Sequence, residues 1–397
     1  MAVFLMLMLP LAARAAFIPP APAIQGTSYV LMDYASGQIL ASKDPELQVP
    51  PASLTKLMTL YITFDELKTG HIQLDTKFLI SKHAWLLGVN GGASRMFVTV
   101  GDRVSVEDLI QGVIVDSGND AATALAEGIA GSVSSFVPLM NDYAKKLGMT
   151  HSHFINADGL PADFLQGGKS TGPLPQDVVS AQDLAVLARA IIHNFPKYYP
   201  YFAQKEFTYD KIRQYNRVNL LFTDPSVDGL KTGFTDAAGY CLLASAKRDG
   251  QRLIAVVMGT KSEAYRNVAV EQLLNYGFQF YNTHELMGPQ QPAAKVRIYQ
   301  GATEELPVGT AEPLYVALPR GEGKELKVGV KIDKPIVAPV KLDQTVGVAT
   351  VTLNDKTLRT VPLVSLAAVQ GGGLIHNLAD QVRLWMGGNS NPSAAAP

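Results

Sequence analysis

Between the double proline Pro50-Pro51 and Gly70 the sequence carries a helical pattern with no polar face. From about Ser53 to Lys68 the apolar positions Leu54, Leu57, Met58, Leu60, Tyr61, Ile62, Phe64 and Leu67 cover most of the circumference. A helix apolar nearly all round must be covered by protein on every side. No single hairpin can do this, so the helix demands several layers around it. A chain of 397 residues, 47% hydrophobic and 17% charged, has the size for two or three domains and for such a core. Lys68 in the last turn and Gly70 just beyond give the helix a normal C-terminal end.

The surrounding pattern sets the class. Tyr29–Met32, a turn over Asp33–Gly37 and Gln38–Ala41 read as a hairpin. Strands at Tyr240–Ala246 and Leu253–Met258 flank the turn Lys247-Arg-Asp-Gly-Gln251. Between these ends the signals are helical. Ser105-Val-Glu-Asp108 opens one helix, Asp120–Ala130 forms a second closed by Gly131, and Ser135–Leu147 forms a third. Ser180-Ala-Gln-Asp183 opens another, and Ala264–Tyr281 closes the region. Strands at both ends with a helical middle predict an α+β domain, an antiparallel sheet flanked by helices.

After the linker Gly288-Pro-Gln-Gln-Pro292 the pattern changes. Short alternating segments at Val296–Tyr299, Leu314–Leu318, Leu326–Ile332, Val346–Leu353 and Thr360–Val364 predict a small all-β sandwich. Beyond Gly371-Gly-Gly373, the residues Leu374, Ile375, Leu378, Val382, Trp385 and Met386 recur at helical spacing, which suits a helix lying in a membrane interface or packed on its own domain. The expected division is 1–15, 25–287, 293–370, 374–386 and a disordered tail over 387–397. The first of these, apolar from Met1 to Leu11 and followed by Ala13-Arg14-Ala15, reads as a secretory signal too short to span a bilayer. It predicts export to the periplasm or the outer face of the cytoplasmic membrane.

Charge and cysteine content narrow the function. With 34 basic and 35 acidic side chains there is no cationic excess for a nucleic-acid backbone. The single Cys241 permits no internal disulfide and reads as a buried small hydrophobe. His151-x-His153 lacks a third ligand, so neither a metal site nor a cofactor is expected.

Three short motifs carry chemistry. Ser53-Leu-Thr-Lys56 sets a hydroxyl and an amine one helical turn apart, where Lys56 can act as general base for Ser53 once burial lowers its pKa. Alone, the pair reads more readily as a helix cap and a solvated lysine. Ser117-Gly118-Asn119 lies at the junction of two helices. Ser117 can relay a proton to the leaving group and the Asn119 amide can hold a substrate carbonyl, although a turn and cap would use the same residues. Lys231-Thr232-Gly233 puts a cation and a hydroxyl at a strand edge to receive a terminal carboxylate, with Gly233 leaving room for the substrate beside the backbone. The same tripeptide occurs at Lys68-Thr69-Gly70. It sits about 22 Å along the helix from Ser53, too far to share its site.

In this order S-x-x-K, S-x-N and K-T-G form the signature of penicillin-binding proteins and class A β-lactamases. The chain resembles the low-molecular-mass penicillin-binding proteins that act as D-alanyl-D-alanine carboxypeptidases. The likeness rests on Pro51–Thr59, Asp116–Ala122, Asn156-Ala-Asp-Gly-Leu-Pro161 and Asp228–Thr235. It implies a penicillin-recognising transpeptidase-like domain, then a β-rich domain, then an amphipathic anchor. It further implies Ser53 as the acylated residue, Lys56 as its base, and Ser117, Asn119, Lys231 and Thr232 in binding and relay roles. The backbone N–H groups of Ser53 and Phe234 become the oxyanion hole, and Arg266 a second contact for the terminal carboxylate. The implied partners are a peptidoglycan stem peptide ending in D-Ala-D-Ala and β-lactams as covalent inhibitors. A class A β-lactamase on this scaffold needs a glutamate after the second motif, and residues 128–205 contain none, though Asp158 and Asp163 lie in the region. A D,D-endopeptidase would use the same residues, and a non-catalytic envelope binding protein would need none of them.

Overall fold

The computed structural model describes residues 18–89, 93–162, 164–166, 176–323, 326–332 and 334–385. The expected signal, the tail from Met386 on, and Asp163 lie outside the described residues. Contacts divide the described chain into two compact units, Pro20–Gln279 and Phe280 onward.

The first unit is α+β. Its sheet is antiparallel, in the order Ile39–Lys43, Ser28–Asp33, Gln251–Thr260, Gly239–Arg248, Val227–Thr235. The strand from the start of the unit thus lies beside one from its end. Lys231-Thr232-Gly233 falls within the outermost strand, whose Gly229 and Gly233 interrupt the alternation by which strands are recognised. The apolar helix runs Lys56–Thr69 and is buried from Lys56 through Phe64. It packs in one core with Met32, Ile254 and Val256 of the sheet and with Leu109, Leu125 and Leu184 of neighbouring helices.

Ser53 belongs to a separate 3-10 turn, Ala52–Thr55, ahead of the helix. Pro51 stands at its N-cap and Ala52 adopts a left-handed φ of 49°, and the expected single helix is two consecutive pieces. The capping signals act as read. The Ser105 and Ser180 side chains accept from Asp108 N and Asp183 N, and Gly70 and Gly131 close their helices in left-handed geometry.

The second unit is all-β apart from one helix. A six-stranded sheet runs Leu326–Ile332, Thr345–Leu353, Lys356–Ser365, Glu305–Gly309, Pro292–Tyr299, Ile336–Val337. A two-stranded sheet pairs Tyr281–Met287 with Leu314–Pro319. Met287 and Leu314 of the small sheet share a core with Ile298, Leu306, Val351 and Leu363 of the large one. Gly288–Gln291 is therefore a turn inside this unit, because the strand before it already pairs there. The helix Leu374–Trp385 is fixed by Asp380, which is fully buried and accepts from Gln300 N (2.7 Å) and Arg297 Nη2 (3.2 Å).

Candidate active site

Ser53 and Lys56 meet because the 3-10 turn and the first turn of the helix place them on one side. Lys56 Nζ donates to Ser53 Oγ at 2.9 Å, to Asn119 Oδ1 at 2.6 Å and to the Asp158 carbonyl at 2.6 Å. An ammonium has three protons, and these acceptors use all three. With one proton gone, the two carbonyl-type acceptors still hold the remaining N–H groups, so the lone pair faces Ser53. Burial lowers the Lys56 pKa to about 8; Arg217 pushes the same way, while Asp158, Asp120 and Asp177 oppose it. The amine is fully buried, in keeping with the apolar helix around it.

Asn119 begins the helix Asn119–Ala130 and is itself buried. Its carbonyl oxygen faces Lys56, which leaves the –NH2 end for another partner. Ser117 is 2% exposed, adopts φ 64°, and its hydroxyl has no hydrogen-bond partner among the described residues. A buried hydroxyl without a partner is costly, and a left-handed non-glycine residue adds to that cost; such positions concentrate at functional sites.

Lys231 is buried beside Lys56, and burial, then Lys56 and Arg217, hold its pKa well below the ordinary lysine value. Its Nζ donates to the Thr232 carbonyl at 3.2 Å. Among the described residues no strand pairs with the outer edge of its strand, the edge an extended peptide would use. Gly233 also has a packing role. A Cβ there would sit 2.8 Å from the Pro51 carbonyl oxygen and 3.4 Å from Ala52 Cβ. Its missing side chain lets the strand pack against the Ser53 turn. Phe234 follows with its ring half-exposed and tilted against Tyr240, ring centroids 4.3 Å apart. Arg266 is buried, donates to Glu263 Oε1 at 3.1 Å, and lies near enough to Lys231 to lower its pKa; Arg266 Nε has no partner among the described residues.

Several participants escape sequence reading. Arg217, paired with Asp116 at 3.0 Å, lowers the pKa of Lys56, Lys231 and Arg266 together. The carbonyl of Asp158 is invisible in any motif, but its turn is not. Asn156 Oδ1 accepts from Asp158 N and Gly159 N, an Asx turn that Asn156-x-Asp-Gly159 could have announced. A cavity of about 570 Å³ is lined by Asp116, Arg217, Arg95, Phe97, Arg213 and Tyr215, and Ser53 is not part of its lining. The duplicate Lys68-Thr69-Gly70 sits at the helix C-terminus, with Lys68 over the Phe195 ring. Cys241 is wholly buried, which pushes its thiol up to about 11.

Comparison with known proteins agrees with this geometry. Residues 15–262 match the family described as D-alanyl-D-alanine carboxypeptidase, and residues 281–371 match the C-terminal domain of penicillin-binding protein 5. The D-alanyl-D-alanine carboxypeptidase DacC of Escherichia coli is 40% identical over 97% of this chain and 95% of its own length. The crystal structure of penicillin binding protein 5 from Haemophilus influenzae covers 89% of this chain and 99% of its own, at 35% identity and a TM-score of 0.79. Penicillin-binding protein D2 from Listeria monocytogenes, in its ampicillin-bound form, covers 66% of this chain at 30% identity and a TM-score of 0.57.

Proposed function

Because the chain belongs to the D-alanyl-D-alanine carboxypeptidase family, we propose that Ser53 is its acylating residue and that the Lys56 amine is the base that activates it. The chain is a serine-type D-Ala-D-Ala carboxypeptidase with a penicillin-binding fold. The observation that carries the assignment of roles is the 2.9 Å contact between Lys56 Nζ and Ser53 Oγ, made by an amine whose pKa is near 8.

The reaction follows from that contact. A stem peptide lies along the Val227–Thr235 strand with its terminal carboxylate near the Thr232 hydroxyl and near Lys231 and Arg266, two cations whose repulsion an anion relieves. Ser53 Oγ attacks the carbonyl carbon between the two D-alanines while its proton passes to Lys56. Backbone N–H groups of Ser53 and Phe234 hold the developing oxyanion. The C–N bond breaks as Ser117 passes its proton to the leaving amine and takes in its place the one Lys56 had accepted, so that Lys56 is free base again and D-alanine departs. Water then attacks the acyl-Ser53 ester and restores the hydroxyl. A β-lactam offers the same carbonyl to Ser53, and its opened ring stays tethered in place of a departing amine.

Export to the cell envelope is supported by the apolar run and Ala13-Arg14-Ala15 at the start of the sequence. Peripheral attachment to a membrane is supported by the helix Leu374–Trp385, where Asp380 ties one face to its own unit while Leu378, Val382 and Trp385 stand exposed, Trp385 at 88%.

The direct test is to incubate the protein with labelled penicillin, locate the modified residue by peptide mass, and assay D-alanine release from a pentapeptide. Label on Ser53 together with free D-alanine is the expected result. Label on another residue, or none, would refute the assignment.

A further inference from the structure

Asp177 takes no part in the chemistry described above, yet it holds two segments that do. It is 3% exposed, in the chain ahead of the helix Ala181–Asn194. Its Oδ2 accepts from Thr55 Oγ1 at 2.7 Å, across 122 positions of sequence. Its Oδ1 accepts from Ile155 N at 2.6 Å and Asn156 N at 3.3 Å. Thr55 ends the turn that carries Ser53 and precedes Lys56 directly. Ile155 and Asn156 lead into the turn whose Asp158 carbonyl receives a proton of Lys56.

Resting on the catalytic reading above, the geometry points to Asp177 as a positioning residue for the reaction: one carboxylate clamps the Ser53 turn to the Asp158 turn and thereby aims the Lys56 amine. A second tie, Thr59 Oγ1 to the Ala157 carbonyl at 2.7 Å, lies one helical turn further down and restrains the loop without touching the Ser53 turn. Gly159 packs onto the Ala52 carbonyl so closely that no Cβ fits, so the two segments are already in contact and small slippage between them is what Asp177 prevents. Two carbonyl acceptors aim Lys56, and one of them moves with the clamped loop. A displacement of about 1 Å at a catalytic group costs on the order of a hundredfold in rate.

The clamp is also a charge. Asp177 raises the pKa of Lys56, and burial brings its own carboxyl up to about 6. The ionisable groups around it are Lys56, Asp158 and His153, the last bonded across the backbone bridge to Val178. A neutral but isosteric side chain therefore separates holding from charging.

Acylation by labelled penicillin, followed against time and pH, tests this in the full chain. Asp177→Ala is expected to acylate on the order of a hundredfold more slowly, with the loss in the rate constant and not in prior binding. Thr55→Val, which keeps the bonds to Ile155 and Asn156, guards against a folding defect and should slow acylation in the same sense. Asp177→Asn should recover most of the rate while moving the alkaline midpoint to lower pH, since a negative charge near Lys56 is gone. Unchanged rates in both Asp177→Ala and Thr55→Val, or an unmoved midpoint in Asp177→Asn, would overturn the role of Asp177 alone. A wild-type protein that takes up no penicillin overturns the catalytic reading and this one with it.

Discussion

Lys56 Nζ and the carbonyl oxygen of Asp158 lie 2.6 Å apart although 102 positions separate them in the sequence. That contact, with the one to Asn119, fixes the direction of the Lys56 amine. A lysine with free rotation would spread its lone pair over many directions and keep an ordinary pKa. Here two acceptors hold two N–H groups, and burial disfavours the charge.

The pH dependence of acylation follows. A lysine lowered to about 8 is mostly ammonium below that pH and mostly free base above it. Acylation of Ser53 should rise with pH through about 8 and then level. Lys56→Arg, which cannot lose its proton, should lose at least about a thousandfold at every pH. A stopped-flow pH profile with a labelled β-lactam reads both; a midpoint near the ordinary lysine value would contradict the burial argument.

Ser117 separates activity from stability. Its hydroxyl is buried with no partner among the described residues, so Ser117→Ala removes a desolvated group and none of the described bonds. Thermal midpoint should stay the same or rise slightly, while turnover of a D-Ala-D-Ala peptide falls by roughly 10²–10⁴ as the relay is lost. A marked loss of thermal stability would show that the hydroxyl is structural.

Gly159 and Gly131 make a matched pair. Both adopt left-handed φ, near 80°, but a Cβ at Gly131 meets nothing within 4 Å, whereas one at Gly159 overlaps the Ala52 carbonyl. Gly131→Ala should cost about 1 kcal/mol of stability, the strain of the conformation alone. Gly159→Ala should cost several times that and slow acylation too, because relief comes only by moving the Ser53 turn. Denaturant titration compares the two, and equal costs would refute the close packing.

The C-terminal helix offers a test of attachment. Replacing Leu378, Val382 and Trp385 with Asp removes its exposed apolar stripe and leaves Asp380 in place. Co-sedimentation with anionic lipid vesicles should fall at least about tenfold, with penicillin acylation unchanged. Equal sedimentation of the triple variant would assign the stripe another purpose.

Much of this protein is local. The buried helix, its caps, the order of the three motifs and the β-rich second unit are written in side-chain types at short spacing, where periodicity and capping chemistry operate. So is the pairing of Ser53 with Lys56, since one helical turn brings them together. The outer strand Val227–Thr235 was obscured by its glycines, one of which, Gly233, is required by the Pro51 carbonyl. The third acceptor of Lys56 is a backbone carbonyl, which every residue has, so no residue type could mark it. The Thr55–Asp177 bond and the influence of Arg217 on three other cations depend on distances between segments far apart in the chain. Sequence alone pointed to the proposed nucleophile and base; tertiary packing, by burying the amine, lowered its pKa to about 8 so that it can lose its proton, and by facing it with two carbonyls gave it a direction.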